Sequence, residues 1–254
     1  MGEGRSRHSL VGEGFAVKRS GASTQRDGSQ RGSPRRPHAK RDMLPVLLAA
    51  HNEALSNCVR CGLADSVRPI ISEARSPRAM LVGQAPGKVE VGDRRPFAGR
   101  AGKTLFSWLG QAGVDEAVFR RDVYIAAITR CYPGPSPSGR GDRVPSTRER
   151  EMCSGWLESE LRIIRPALLI PVGRLAIDRF LGTGKLNELV GKRHTVSHEG
   201  GESVAIPLPH PSGASSWVNE PTHRALLDRA LELLGEELLS LGVGSGPRAT
   251  RKSA

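Results

Sequence analysis

Four short apolar runs, each closed by a glycine- or proline-rich break, set the framework of this chain: residues 79–82, 123–128, 167–172 and 203–208. They are too short for buried helices and are flanked by turn formers, so they read as strands. Between and after them, apolar residues recur at helical spacing. Leu105, Trp108, Leu109 and Ala112 make one such face. Cys153, Trp156, Leu157, Leu161 and Ile164 make a second, and Leu226, Leu227, Ala230, Leu234 and Leu238 a third. An Ala-rich segment over 43–54 predicts a leading helix, and Gly173 opens a short one that ends at Gly182. Ser146 and Glu149 have the spacing of a capping box, Pro166 stops the helix they start, and Pro221 suits the first turn of the last helix. Strands alternating with helices predict a three-layer α/β/α fold around a central, mainly parallel four-stranded sheet.

The connection after the first strand is unusual. Residues 83–102 read GQAPGKVEVGDRRPFAGRAG, with five glycines in the stretch. A loop of that length between a strand and a helix is long for a plain connection, and long ordered loops tend to carry function. It leaves the carboxyl end of a strand, which is where open α/β sheets bind ligands. Phe97 offers it a flat apolar face.

Composition changes the picture at the ends. The 254 residues carry a formal net charge of +12 and 37% hydrophobic residues. Residues 1–42 hold ten Lys/Arg against four Asp/Glu, and 247–254 add three more cations, so only a small excess belongs to the folded part. Residues 1–42 and 242–254 read as disordered basic segments flanking one domain over 43–241, because they lack the apolar content to offset the entropy of ordering. Met43 is an alternative start. A basic balance points to a polyanion, with nucleic acid first. No run of eighteen apolar residues is present and no secretory signal precedes the domain, which points to the cytoplasm.

Cys58 and Cys61 form a C-x2-C pair, and Cys131 and Cys153 flank a polar loop over 133–146. Four thiolates suit a structural zinc or an iron–sulfur cluster, and ligand chemistry alone does not separate the two.

With these stretches assembled, the chain resembles the uracil-DNA glycosylase superfamily, most closely its iron–sulfur family 4. The resemblance rests on Cys58-Val59-Arg60-Cys61, on Gly83-Gln84-Ala85-Pro86-Gly87 with Glu90 and Arg95 through Gly102, on Cys131 through Cys153, on residues 168–173, and on His210-Pro211-Ser212. It implies a base-excision enzyme that flips uracil, or a related deaminated base, out of DNA and hydrolyses its N-glycosidic bond. It also implies a monomer whose four cysteines hold a [4Fe-4S] cluster, with zinc as the alternative. His210, Gln84 and Glu90 take the catalytic roles, His210 as a donor to the leaving base. Gly83, Ala85, Pro86, Gly87, Phe97 and Ala127 line the base site. Ser212, Gly213, Lys192 and Arg193 contact DNA, and Trp217 or Ala214 fills the gap the base leaves.

The chain departs from the family pattern twice. Gln84 stands where the family has Glu, and Ala127 stands where an Asn often reads the uracil edge. Ala85, too, lies where other branches carry a water-activating Asp. A glutamine can orient water but not take its proton. Glu90, ahead of Asp93, is therefore the acid expected to compensate. The competing reading is a DNA-binding, damage-sensing protein that keeps the fold without turnover.

Overall fold

The computed structural model describes residues 42–65, 68–139, 141–212 and 217–244. The expected disorder of the ends concerns segments that lie almost wholly outside these residues.

The first helix, α1 (Leu44–Ser56), has Pro45 in its first turn and buries Leu44, Leu48, His51 and Leu55 along one stripe. A short 3-10 turn follows at Gly62–Asp65. Next come β1 (Ala79–Gly83), α2 (Lys88–Asp93), α3 (Arg100–Gln111), α4 (Glu116–Asp122) and β2 (Val123–Ala127). The long helix α5 (Thr147–Ile164) starts at the expected capping box: Ser146 Oγ accepts from the Glu149 amide, and the Glu149 carboxylate accepts from the Ser146 amide. Then follow β3 (Leu168–Pro171), α6 (Arg174–Leu181), the single turn α7 (Leu186–Leu189), β4 (His194–His198), β5 (Gly201–Ala205) and α8 (Pro221–Ser240).

The sheet has five strands in the order β2-β1-β3-β5-β4. The first three pairings are parallel and β4–β5 is antiparallel. The expected four-stranded sheet is thus corrected to five. The missing strand, β4, is an edge strand reading His-Thr-Val-Ser-His in which only Val196 is buried, so it carries no apolar run. Part of the expected fourth strand also shifts. Regular pairing ends at Ala205, and the chain stays beside β3 through a bridge between Val172 and Leu208.

Strand alternation builds the three layers, because successive side chains point to opposite faces. Leu81, Ile125 and Ile170 face a core closed by Leu105 and Leu109 of α3, Phe119 of α4 and Leu227, Leu231 and Leu234 of α8. Met80, Val82, Tyr124 and Leu169 face the other core, closed by Leu44 and Leu48 of α1, Leu157 and Leu161 of α5 and Ala176 of α6. Both faces of β1 are fully buried, which explains its unbroken apolar run. From β1 the chain moves to one side to make β2 and then crosses to the other side to make β3. Such a switch point opens a crevice at the carboxyl ends of the strands.

Candidate active site

A cavity of about 610 Å³ occupies that crevice. Its floor is the end of β1 and β2, where Gly83 lies opposite Ala127. Its walls come from the loop over 83–90, from Pro96, Phe97 and the start of α3, from the loop after β2, and from His210 and Ser212. Every residue expected at the catalytic or base-binding positions lines this one cavity: Gly83, Gln84, Ala85, Pro86, Gly87, Glu90, Phe97, Ala127 and His210.

His210 reaches the cavity through the passage beside β3. A Cβ at Gly173, which has φ +81°, would stand 2.8 Å from the imidazole Cδ2, so the bare backbone there makes room for the ring. Nδ1 accepts a hydrogen bond from the Ser212 amide at 3.2 Å. The ring proton therefore sits on Nε2. Burial lowers the pKa of His210, and the imidazole is a neutral donor near pH 7.

Phe97 is held in a left-handed conformation, φ +52°, which a bulky residue rarely adopts. Buried Arg120 secures it by donating to the Pro96 carbonyl at 2.7 Å and the Phe97 carbonyl at 3.1 Å. Glu116 in turn accepts from Arg120 at 2.8 Å. The Phe97 ring rests on Gly83, where a Cβ would approach Cζ to 3.0 Å. A Cβ at Gly102 would overlap the Phe97 carbonyl oxygen outright. Gly102→Ala is therefore expected to displace Phe97 and cost about 1–3 kcal/mol. A urea melt checks it.

Glu90 has a different task from the expected one. It is buried, and its two carboxylate oxygens accept the Gly87 and Gly99 amides at 3.0 and 3.1 Å. It ties the two ends of the loop together. The Gln84 side-chain amide makes no hydrogen bond among the described residues, while its backbone carbonyl accepts from the Thr129 amide at 3.2 Å. Ala127 presents only a methyl group.

Lys192 and Arg193 do not line the cavity. Arg193 is spent on Glu236 and Glu237 of α8, at 2.5 and 2.8 Å. Trp217 stacks on His223, with centroids 4.4 Å apart and planes 3° from parallel. Gly213 and Ala214 lie outside the described residues. The sequence reading missed Lys88, Arg100, Arg130, Asp142 and Arg143, all of which line the cavity. For Asp142 and Arg143 the signal was available: the 133–146 loop leaves the carboxyl end of β2, so its polar residues hang over the crevice.

The four thiols gather on the α1–α5 side. Cys131 is pushed up to about 12, by burial first and then by the charges of Cys61, Cys153 and Cys58. Cys153 is raised for the same reasons, partly offset by Arg130. Trp156 Nε1 donates to Cys58 Sγ at 3.1 Å, and beside Cys131 the atoms Thr129 Oγ1 and Arg130 Nε are buried without a partner. Among the described residues, however, no three His, Cys, Asp or Glu side chains are grouped closely enough to hold a metal ion.

Fold and site define a doubly wound α/β protein with a ligand cleft at its switch point, walled by an aromatic ring and a neutral imidazole donor. Residues 71–234 match the uracil DNA glycosylase superfamily, and the chain belongs to that family. It is 29% identical over 168 residues to a Type-4 uracil-DNA glycosylase of Thermotoga maritima, a match spanning 65% of this chain and 82% of that protein. It is 29% identical over 165 residues to a Type-4 uracil-DNA glycosylase of Archaeoglobus fulgidus, spanning 62% and 78%. A Type-5 uracil-DNA glycosylase of Pyrobaculum aerophilum is 31% identical over 152 residues, spanning 48% and 64%. Among the described residues, no helix is long and apolar enough to cross a membrane.

Proposed function

We propose that this chain is a DNA glycosylase that takes uracil, or a related deaminated base, out of DNA and hydrolyses its N-glycosidic bond. The observation that carries the reading is the single cavity shared by Phe97 and His210. A base extruded into it stacks on the Phe97 ring. As the bond to the sugar stretches, negative charge builds on the base, and the Nε2–H of His210 donates to the carbonyl oxygen that receives it. A preorganised donor of this kind is worth most where water is excluded. The free amide of Gln84 orients a water or hydrogen-bonds the base. Lys88 and Arg100 at the rim supply positive charge for DNA phosphate, a role the sequence reading gave to Lys192 and Arg193.

The four cysteines fit a cluster by the chemistry of the donor set: four thiols lie near enough for the charges of Cys58, Cys61 and Cys153 to act on Cys131, and four thiolates are what an iron–sulfur cluster takes, with zinc as the alternative. Cys58, Cys61, Cys131 and Cys153 would hold it, and its contribution is to tie the loop after β2 to α1. Purified protein should show a visible absorbance band, which zinc would not give.

Gln84 and Ala127 favour a second reading, a damage-binding protein without turnover, since neither supplies a proton acceptor or a side-chain reader of the uracil edge. The experiment that separates the two is a panel of oligonucleotides carrying uracil, hypoxanthine, xanthine or a thymine mismatch. Abasic sites formed on any of them support the enzyme. Salt-dependent binding to all of them with no abasic product supports the binder.

A further inference from the structure

Hydrolysis needs a group to take a proton from water, and the expected candidates do not serve. Gln84 and Ala85 carry no acid, and Glu90 is a buried brace whose two oxygens each accept a backbone amide. Among the described residues only one other carboxylate lines the cavity, that of Asp142. Building on the glycosylase reading, we infer that Asp142 is the catalytic carboxylate of this site, the proton acceptor for the attacking water.

Its placement is fixed by the fold around it. The loop after β2 folds back on itself: the Ser136 amide donates to Gly141 at 2.9 Å, the Arg143 amide donates to Gly134 at 3.0 Å, and Pro135 bridges Asp142. Arg143 then clamps the base of this hairpin to α5 through a forked pair with Glu149 at 2.8 and 2.5 Å. The pairing holds the Glu149 carboxyl down to about 2. Asp142 sits next to that clamp and turns into the cavity. Its Oδ2 lies 2.8 Å from the point where a side chain at Gly87 would begin, and Glu90 Oε2 lies 2.8 Å from the same point. The two oxygens are therefore no more than twice that, 5.6 Å, apart. Glycine at 87 is what lets both carboxylates close on the loop, one to brace it and one facing the cavity. The Asp142 carboxylate keeps acceptor capacity for a water.

In the step this implies, a water oxygen bonds to C1′ of the sugar while the C1′–N1 bond breaks and its electron pair leaves with the base. His210 donates a hydrogen bond to the base oxygen without giving up its proton. Asp142 takes the proton from the water and releases it to solvent, from which the departing base anion draws one.

The test is single-turnover uracil release by full-length wild type, Asp142→Asn, Asp142→Glu and the double variant Gln84→Glu/Asp142→Asn, alongside affinity for an oligonucleotide carrying a non-hydrolysable uracil nucleotide. Asp142→Asn is expected to lower the rate about 10²-fold or more with affinity changed less than threefold. Asp142→Glu should recover part of the rate, and so should the double variant, which returns an acid to the other wall. An Asp142→Asn rate within threefold of wild type, or a fall matched by lost affinity, overturns the assignment and leaves the glycosylase reading standing. Wild type that binds but releases no base overturns both.

Discussion

Replacing His210 by alanine is expected to lower the single-turnover rate of uracil release by about 10²–10³-fold, the range found when one donor to a developing anion is removed. The geometry makes the effect specific to the chemical step. The Ser212 amide occupies Nδ1, which leaves Nε2–H as the donor, and burial keeps the ring uncharged. A neutral donor gains strength as charge accumulates on the base, so it favours the transition state over the bound substrate. The loss should therefore appear in the rate rather than in affinity. His210→Gln, which retains a side-chain N–H, should lose less than His210→Ala. Quenched-flow release of uracil from a labelled oligonucleotide measures both. A fall of less than threefold in His210→Ala would move the burden of anion stabilisation to the amides of the 83–87 loop.

Much of this site could be read from the sequence because the residues concerned lie next to strand ends. A parallel sheet brings the carboxyl ends of its strands together whatever the connections are, so Gly83, Ala127 and His210 had to converge once the four apolar runs were strands. The residues that escaped notice are those whose position depends on a partner far along the chain. Glu90 looked like a free acid until Gly99, nine residues on, appeared as its second donor. Lys192 and Arg193 looked like a phosphate site, but Arg193 is bound by α8, whose register against β4 no local pattern announces. β4 itself was hidden because an edge strand with one buried residue has no apolar signature. Asp142 lies in a polar loop over 133–146 whose place beside the crevice follows from the end of β2, but nothing local shows which of its residues turns inward.

Glu160→Ala is expected to destabilise the fold by about 3–5 kcal/mol, the usual cost of removing one partner of a buried ion pair. Against a domain stability of about 5–15 kcal/mol, that loss is enough to unfold much of the protein at elevated temperature. Glu160 is fully buried in α5. It accepts hydrogen bonds from Tyr124 Oη at 2.8 Å and His51 Nε2 at 3.2 Å, and it pairs with the buried guanidinium of Arg130. Without it, Arg130 keeps its charge with nothing opposite, next to Cys131 and at the cavity wall. Glu160→Gln preserves shape and one acceptor oxygen, and its cost should be smaller, about 1–3 kcal/mol. The same cluster sets a pH dependence. Burial first, and then the charge of Arg130, lower His51 to about 4 from an ordinary 6.5. The unfolded chain therefore takes up this proton before the folded one does. His51 contributes stability that is intact above about 6.5 and is lost as pH falls through about 4. Urea melts of wild type and Glu160→Gln at pH 7.5, 5.5 and 4 would show the decline in wild type. If wild-type stability instead rises between pH 7.5 and 5.5, then Glu160 holds His51 protonated in the fold, and the pair is a second ion pair rather than a neutral hydrogen bond.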